Sequence, residues 1–152
     1  MRVSTKSDYA LRALIELAHD DGRAPLSADE ISRAQDIPHG FLQGILADLR
    51  RAGILVSQRG QAGGWLLARK PDDVTVADVI RALDGPLVNV HGLRPESVVY
   101  KERAVALQAV WIAARSGLRE VLEAVTIADL ATGDLPQQVR QRTEAEDAWR
   151  PH

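Results

Sequence analysis

Five cationic side chains lie between Leu49 and Pro71, a stretch of the chain that contains no acidic residue. They are Arg50, Arg51, Arg59, Arg69 and Lys70. Guanidinium and ammonium groups bind phosphate through their charge and their hydrogen-bond donors, so this cluster could hold a nucleic-acid backbone. An isolated run of charge is more often a solvated surface. The elements that carry these residues must therefore decide between the two interpretations.

The composition limits what such a cluster can mean. The chain has 152 residues, of which 45% are apolar and 26% charged, and its formal net charge is −2. These values are typical of a globular protein, and they make any nucleic-acid binding a matter of local charge. No apolar run long enough to span a bilayer and no signal-peptide pattern is present, so we expect a cytoplasmic protein without a membrane partner. The absence of cysteine excludes disulfides and thiolate metal sites.

Arg59 begins the glycine-rich stretch RGQAGGWLLAR, which lies between the apolar segments 54–56 and 65–67. This order predicts a β-hairpin with a tip of about six to eight residues that carries Arg59 and Gln61. A phosphate-binding P-loop is the alternative, but the Gly-Lys-Ser/Thr ending is missing and a strand follows. A narrow DNA minor groove attracts an arginine at such a tip.

Three amphipathic helices are predicted before the hairpin. The first opens with Thr5, and a capping box of Ser27 and Glu30 starts a short second helix. Pro38 suits the first turn of a third helix, which Gly53 closes. Two short helices joined by a tight turn, with cations at the end of the second, match a helix-turn-helix.

The third helix is predicted to bury the face that carries Phe41, Ile45 and Leu49. The candidate DNA-binding residues on and beside its opposite face are His39, Gly40, Gln43, Gly44, Arg50 and Arg51. Each interior glycine costs about 1 kcal/mol relative to alanine, so two on one exposed face indicate close approach to a groove floor. Relief of crowding against the first or second helix is the alternative. We expect the glutamine and the histidine to bond base edges and the last arginine to contact phosphate.

A second capping box starts a fourth helix at Thr75, and residues 1–84 are predicted to form a winged helix-turn-helix domain. Residues 85–99 form a linker, residues 100–134 a long helix and a short one, and residues 135–152 a polar tail. The long helix carries apolar residues alternately three and four apart, which is typical of helix pairing. Those predicted to form a homodimer interface are Leu107, Trp111, Ala114, Leu118, Val121 and Val125. Packing of this stripe on its own winged domain is the alternative.

The linker and the base of the long helix are the candidate sensor segment for an unknown small-molecule or protein effector. The residues concerned are Val90, His91, Tyr100 and Trp111. The two aromatic residues have a simpler alternative role in the core. No metal site is predicted, because His91 has neither a cysteine nor a second histidine near it in the sequence.

These motifs together resemble the Rrf2 family of bacterial winged-helix transcription regulators. The resemblance covers residues 1 to about 134 and rests on STKSDYALRAL, DIPHGFLQGILADLRRAGIL, RGQAGGWLLAR and ADVIRALDG. It implies a mainly α fold with a small β-hairpin wing, and a homodimer that crosses through the long helix and binds a partly palindromic operator on double-stranded DNA. By motif position it assigns base contacts to the start of the third helix, where Gln43 replaces a residue that is often acidic, and minor-groove insertion to Arg59.

One departure from the family bears on mechanism. Family members that sense redox state or nitric oxide hold an iron–sulfur cluster through three cysteines between the fourth helix and the long helix. Residues 85–108 of this chain contain none, so we expect a regulator without a cofactor. A winged-helix protein-interaction module that uses residues 49–70 is the alternative function. An enzyme is not expected, because no catalytic set is recognisable.

Overall fold

The computed structural model describes residues 2–19 and 23–151. Within these residues there are seven α-helices and one antiparallel pair of strands. In chain order they are α1 (Thr5–Leu17), α2 (Ala28–Gln35), α3 (His39–Arg51), β1 (Leu55–Gln58), β2 (Gly64–Leu67), α4 (Val76–Asp84), α5 (Ala106–Leu122), α6 (Ile127–Thr132) and α7 (Gln137–Glu144). The predicted fold class, mainly helical with a hairpin wing, is confirmed.

Side-chain caps set the starts of most of these helices. Reciprocal capping boxes begin α2, α4 and α6, and they pair Ser27 with Glu30, Thr75 with Asp78 and Thr126 with Asp129. At the start of α1 the cap is Ser4, whose hydroxyl accepts a hydrogen bond from the amide of Ser7 at 3.0 Å. Each cap satisfies an amide that has no partner within the helix.

The start of α1 is also bonded to the end of α4. The hydroxyl of the fully buried Ser7 donates to a carboxylate oxygen of Asp84 at 2.7 Å, and the hydroxyl of Ser4 donates to the same carboxylate. These charge-assisted bonds join the first helix of the winged domain to its last.

The main core lies between α1, α2, α3 and the hairpin. Its fully buried side chains include Leu14, Ile31, Leu42, Leu46 and Leu55. Ile127 of α6 belongs to the same core and is fully buried. Its amide donates to the carbonyl of Val74 at 2.9 Å. The short helix after the long one therefore packs on the winged domain.

A second, smaller core contains Val125, which is 5% exposed and packs with Val76 and Ile80 of α4. The sequence places Val125 on the apolar stripe of the long helix, but α5 ends at Leu122. The chain then turns, and the carbonyl of Val125 accepts a hydrogen bond from the amide of Val76 at 2.9 Å. In this structure Val125 is thus buried inside its own chain and lies beyond the end of α5.

Residues 135–152, predicted to be a polar tail, contain the helix α7. Its one buried residue, Val139, is 9% exposed and joins the second core. Arg142 forms an ion pair with Glu120 of α5 at 2.8 Å, which holds the helix from its polar side. A single apolar residue is too weak a periodic signal to predict a helix.

No helix among the described residues is both long and apolar enough to cross a membrane.

Candidate nucleic-acid interface

The turn between α2 and α3 is fixed by local hydrogen bonds. Asp36 adopts the left-handed conformation at φ 50°, and the amide of Ile37 donates to the carbonyl of Ser32 at 3.0 Å. The hydroxyl of Ser32 donates in return to the carbonyl of Ile37 at 2.6 Å. Because Ile37 is also buried, the two helices of the predicted helix-turn-helix are held at a defined angle.

The outer face of α3 is open. The helix buries Leu42, Leu46 and Leu49, and Gly40 and Gly44 lie on the exposed side. A Cβ atom added to either glycine would meet no atom of the described residues within 4 Å. These glycines therefore relieve no crowding against α1 or α2, and the alternative explanation of them is wrong.

Phe41 is a correction to the predicted core, because its side chain is 63% exposed. It lies about a quarter of a turn from the centre of the buried face. Its ring packs edge-on against Tyr9 of α1, with the ring centroids 6.4 Å apart. Phe41 therefore borders the open face beside the two glycines.

His39 and Gln43 lie together at the start of α3, with 3.4 Å between their side-chain nitrogens. The Nε2 atom of His39 is 3.0 Å from a carboxylate oxygen of Asp29 on α2. Both α3 side chains remain exposed to solvent. The structure thus brings two of the predicted base-contacting residues into one exposed group.

The arginines at the end of α3 have different surroundings. Arg51 is paired with Asp48, which also pairs with Lys6 of α1. Arg50 lies beside the hairpin, with its guanidinium carbon 5.9 Å from the centroid of the Trp65 ring. Asp48 and Lys6 were missed by the sequence reasoning, although the spacing of three between Asp48 and Arg51 is a recognisable helical pair.

The hairpin has the predicted form, with Leu55 paired to Leu67 and Gln58 paired to Gly64. Its tip is residues 59–63, slightly shorter than expected. The half-buried Trp65 packs against the main core, and its amide donates to the carbonyl of Leu26 at 2.7 Å. The base of the wing is therefore anchored to the domain through a third chain segment, the one that contains Leu26.

Two glycines of the hairpin have steric reasons to be glycine. A Cβ atom on Gly63 would lie 2.2 Å from the carbonyl oxygen of Gln58, inside the tight tip. Gly64 has φ 153°, and its Cβ atom would lie 2.6 Å from the carbonyl oxygen of Leu26. The first glycine closes the tip and the second allows the wing to approach its anchor.

Arg59 and Gln61 are exposed at this tip. The side chain of Arg59 makes no hydrogen bond or ion pair with any residue that the structure describes. Arg69, in contrast, donates to the carbonyl of Asp73. The arginines of the sequence cluster therefore have different surroundings, and Arg59 is the one at the hairpin tip.

The comparison with protein families decides the class. The model of the Rrf2 family, described as an iron-dependent transcriptional regulator, matches residues 3–133. The chain belongs to the Rrf2 family. The chain is therefore a helix-turn-helix transcriptional regulator, a class that binds DNA, and not an enzyme.

Relatives and solved structures agree with this membership. A protein named as an HTH-type transcriptional regulator of Mycobacterium tuberculosis is 41% identical over 141 residues, which cover 93% of this chain and 88% of the relative. The global cysteine regulator CymR of Bacillus subtilis has a solved structure that superposes with a TM-score of 0.75 at 35% identity, covering 88% of this chain and 98% of that one. The T. potens IscR structure gives a TM-score of 0.71 at 31% identity, covering 93% and 96%.

The donor set of this Rrf2 protein does not fit the iron–sulfur cluster of its sensing relatives. Such clusters are held chiefly by cysteine thiolates, and the sequence has no cysteine. Across residues 2–19 and 23–151, no group of three or more histidine, cysteine, aspartate or glutamate side chains is placed to hold a metal ion.

The predicted sensor residues fall into two places. Val90 and Leu93 exchange backbone hydrogen bonds of 2.9 and 3.0 Å around a tight turn, and His91 lies exposed at its tip with φ 53°. Trp111 donates through its indole nitrogen to the hydroxyl of Tyr100 at 3.0 Å. Neither aromatic side chain is fully buried.

The exposed apolar stripe of α5 differs from the predicted one. No residue of α5 is buried. Trp111 and Leu118 are half-buried against their own chain, whereas Leu107 is 42% and Val110 53% exposed. The exposed stripe lies about 60° round the helix from the predicted seam. Its exposed residues are Ala106, Leu107, Val110, Ala113 and Ala114, and the half-buried Gly117 and Val121 continue it toward the end of α5.

Proposed function

We propose that this Rrf2 protein binds a partly palindromic operator as a homodimer, in the cytoplasm and without an iron–sulfur cluster. Each copy would place α3 in a major groove and its hairpin tip in the adjacent minor groove. The observation that carries the proposal is the guanidinium of Arg59, which has no hydrogen bond or ion pair to the described residues, at the end of a wing whose base is anchored to the core.

The outer face of α3 supports the major-groove part of the proposal. Gly40 and Gly44 leave open space beside the helix, so the backbone can come close to the edges of the bases. His39 and Gln43 lie at the start of α3, where helix-turn-helix proteins contact bases. A glutamine amide pairs most naturally with adenine. We propose that Gln43 selects the base. His39, which lies between Asp29 and Gln43, would hold the Gln43 side chain in position.

The wing supports the minor-groove part. A narrow minor groove concentrates negative potential, which favours an inserted arginine. Because Arg59 has no partner among the described residues, its insertion breaks no bond of the free protein. Gln61 lies on the same tip and is proposed to contact the groove wall or the sugar–phosphate backbone.

Phosphate contacts are proposed for Arg50 and Arg51 at the end of α3. Arg51 shares the Asp48 carboxylate with Lys6, so the group of three carries a net positive charge. The carboxylate restricts the two cations to one region of the surface. Such contacts would position the protein on the duplex and make affinity dependent on salt.

The homodimer is proposed to form through the exposed stripe of α5. Gly117 is within this helix, where a Cβ atom would meet nothing within 4 Å among the described residues of its own chain. Glycine in an exposed helix costs about 1 kcal/mol, and close approach of a second helix would explain it. Leu107, Val110, Ala114 and Val121 would supply the apolar contacts. A two-fold dimer also matches a palindromic operator.

The test is selection of duplexes from fragmented bacterial genomic DNA, followed by fluorescence titration of a selected duplex at two salt concentrations. We expect enrichment of a two-fold symmetric motif and an affinity that falls steeply with salt. Arg59→Ala should weaken binding, and Arg150→Ala in the C-terminal segment is the matched control. Failure to enrich any sequence would favour the protein-interaction module instead.

Independence from a cluster has its own test. We expect that anaerobic incubation of the protein with iron and sulfide leaves it colourless, because thiolate ligands are absent. Affinity for the selected duplex should be the same with oxidant, nitric oxide or chelator. A visible charge-transfer absorbance with bound iron, or loss of DNA binding on oxidation, would contradict this part of the proposal.

A further inference from the structure

A cleft of about 470 Å³ lies where the end of α4, the segment 85–97 and α5 meet. Four arginines line it, namely Arg81, Arg94, Arg115 and Arg119. One acidic residue, Glu96, lies on its wall, and the buried Leu87 contributes an apolar part. The volume is that of a site for a small molecule.

Two carboxylates bind three of these arginines. Arg115 contacts Glu96 at 2.5 Å, and Arg119 contacts Glu123 at 2.9 Å. Arg81 pairs with the same Glu123. The guanidinium of Arg94 has no hydrogen bond or ion pair to any part of the chain that the structure describes. Four guanidinium groups against two carboxylates leave two positive charges uncompensated around one cleft.

Both glutamates are held in the ionised form. Hydrogen bonds from its own backbone amide and from Arg115 lower the pKa of Glu96. Hydrogen bonds from Arg119 and Arg81 lower the pKa of Glu123. The arginines thus already bind carboxylates supplied by the chain, and they have the fork of donors that binds carboxylate or phosphate groups in two-point contacts.

We propose that this cleft binds a small dianionic metabolite, carrying two carboxylates or one phosphate, which replaces the glutamates at the arginines. We further propose that binding changes the angle between the winged domain and α5, and so changes affinity for DNA. The second step rests on the proposed function; binding of the anion does not.

The position of the cleft supports the coupling. Arg81 belongs to α4 of the winged domain, whereas Arg115 and Arg119 belong to α5. No residue of α5 is buried, so α5 is only weakly attached to the winged domain. Ion pairs such as that between Arg81 and Glu123 form part of this attachment. An anion that replaces Glu123 as the partner of Arg81 would alter that attachment. Two recognition helices must stay about one DNA turn apart, so a small rotation at each α5 changes operator affinity.

The cleft and the proposed dimer stripe are on different sides of α5. Arg115 and Arg119 are about half a turn from Val110 and Gly117. A bound anion would therefore leave the dimer intact while it changes the orientation of the winged domains.

The experiment is calorimetric titration of the full chain at pH 8 and constant ionic strength with inorganic phosphate, succinate and acetate. We expect phosphate or succinate to bind saturably, once per chain, at least tenfold more tightly than acetate. Whichever of the two binds identifies a phosphate or a dicarboxylate as the class. Binding of neither above the level of acetate would overturn the proposal.

Matched variants test the site. Arg94→Gln should weaken binding at least tenfold, and it breaks no ion pair among residues 2–19 and 23–151, whereas Arg103→Gln outside the cleft should change it less than twofold. Glu96→Gln should tighten binding severalfold, because it removes a competing carboxylate, and Glu146→Gln is its control. Equal losses in the two arginine variants, or no gain in Glu96→Gln, would overturn the site.

The regulatory step is measured separately on a duplex selected by the protein. The dianion that binds should change affinity for this duplex at least threefold in the wild type and not in Arg94→Gln. An anion that binds without this change overturns the regulatory step. Absence of DNA binding with normal anion binding would instead contradict the proposed function and leave the site standing.

Discussion

Helices α3 and α5 are both amphipathic, but they differ in what covers their apolar residues. In α3, Leu42, Leu46 and Leu49 are fully buried. In α5 no residue is buried, and Val110 is 53% exposed. The apolar side of α3 completes the core of its own chain, whereas α5 keeps a continuous apolar stripe at the surface. The difference separates residues that hold the domain together from residues available to a second copy.

The largest expected effect is on stability, when a buried apolar residue of α3 is truncated. Leu46→Ala should lower the free energy of unfolding by about 2–5 kcal/mol, because it leaves a cavity in a fully packed site. Ile112→Ala, at a residue of α5 that is 39% exposed and lies away from the stripe, should lower it by less than about 1 kcal/mol. Urea denaturation at one protein concentration measures both. Equal losses would show that α5 is covered in the folded chain.

A charge on the exposed stripe is the next largest effect. Val110→Asp should give monomers in sedimentation velocity and weaken binding to the selected duplex by about 100-fold, because the two half-sites lose their linkage. Ile112→Asp is the matched control. Val110 is a sharper position than Leu118 or Val121, which are half-buried in their own chain. An unchanged sedimentation coefficient would mean that the dimer uses another surface.

Substitutions at the proposed DNA-contacting residues should change DNA binding without changing the oligomeric state. Arg59→Ala should weaken binding to an A·T-rich duplex and reduce the salt dependence by about one counterion. Gln43→Ala should alter the preferred base, by about 1–3 kcal/mol at that position, and leave the salt dependence nearly unchanged. Both proteins should sediment as the wild type does. Intact affinity and base preference in both variants would disprove the recognition model.

Two glycines give a smaller and more selective test. A Cβ atom at Gly44 on α3 or at Gly117 on α5 would meet no atom within 4 Å in the part of the chain that the structure describes. Gly44→Ala and Gly117→Ala should therefore each stabilise the folded chain by about 0.5–1 kcal/mol through helix propensity. Gly44→Ala should nevertheless weaken DNA binding, whereas Gly117→Ala should weaken dimerisation. If either variant only stabilised the protein, close approach at that glycine would be excluded.

The smallest effect concerns pH and the attachment of α5. The pKa of Glu123 is lowered by hydrogen bonds from Arg119 and Arg81. A lowered pKa in the folded state contributes stability above the unfolded value near 4.5, and this is lost as the pH falls through the folded value. Glu123→Gln should therefore slightly flatten the loss of stability on the acid side. Denaturation curves between pH 3 and 7 measure it, and an identical profile would show that the ion pairs contribute nothing.

Local patterns were sufficient for several features of this chain. Capping boxes at Ser27 and Thr75 predicted two helix starts, because a cap needs only residues three positions apart. Gly53 predicted the end of α3, and it has the positive φ of 73° that such an end favours. The apolar segments around the glycine-rich tip predicted the wing for the same reason. These are interactions between near neighbours in the sequence.

Other features depended on contacts between distant residues. Periodicity placed Phe41 in the core, although only the position of α1 and Tyr9 decides that its ring stays at the surface. The arginine cleft was not predicted, since Arg81, Arg94 and Arg115 come from three separate segments. No spacing along the chain signals that such residues meet.

The sequence by itself determined the described helices other than α7, the wing and the absence of thiolate ligands, because each depends on composition or on residues a few positions apart. Tertiary structure alone decided how far each apolar face is covered. It placed Val125 inside the second core, left Val110 at the surface, and showed that Gly44 and Gly117 have open space beside them. Burial depends on what else packs nearby, and that is a property of the whole folded chain.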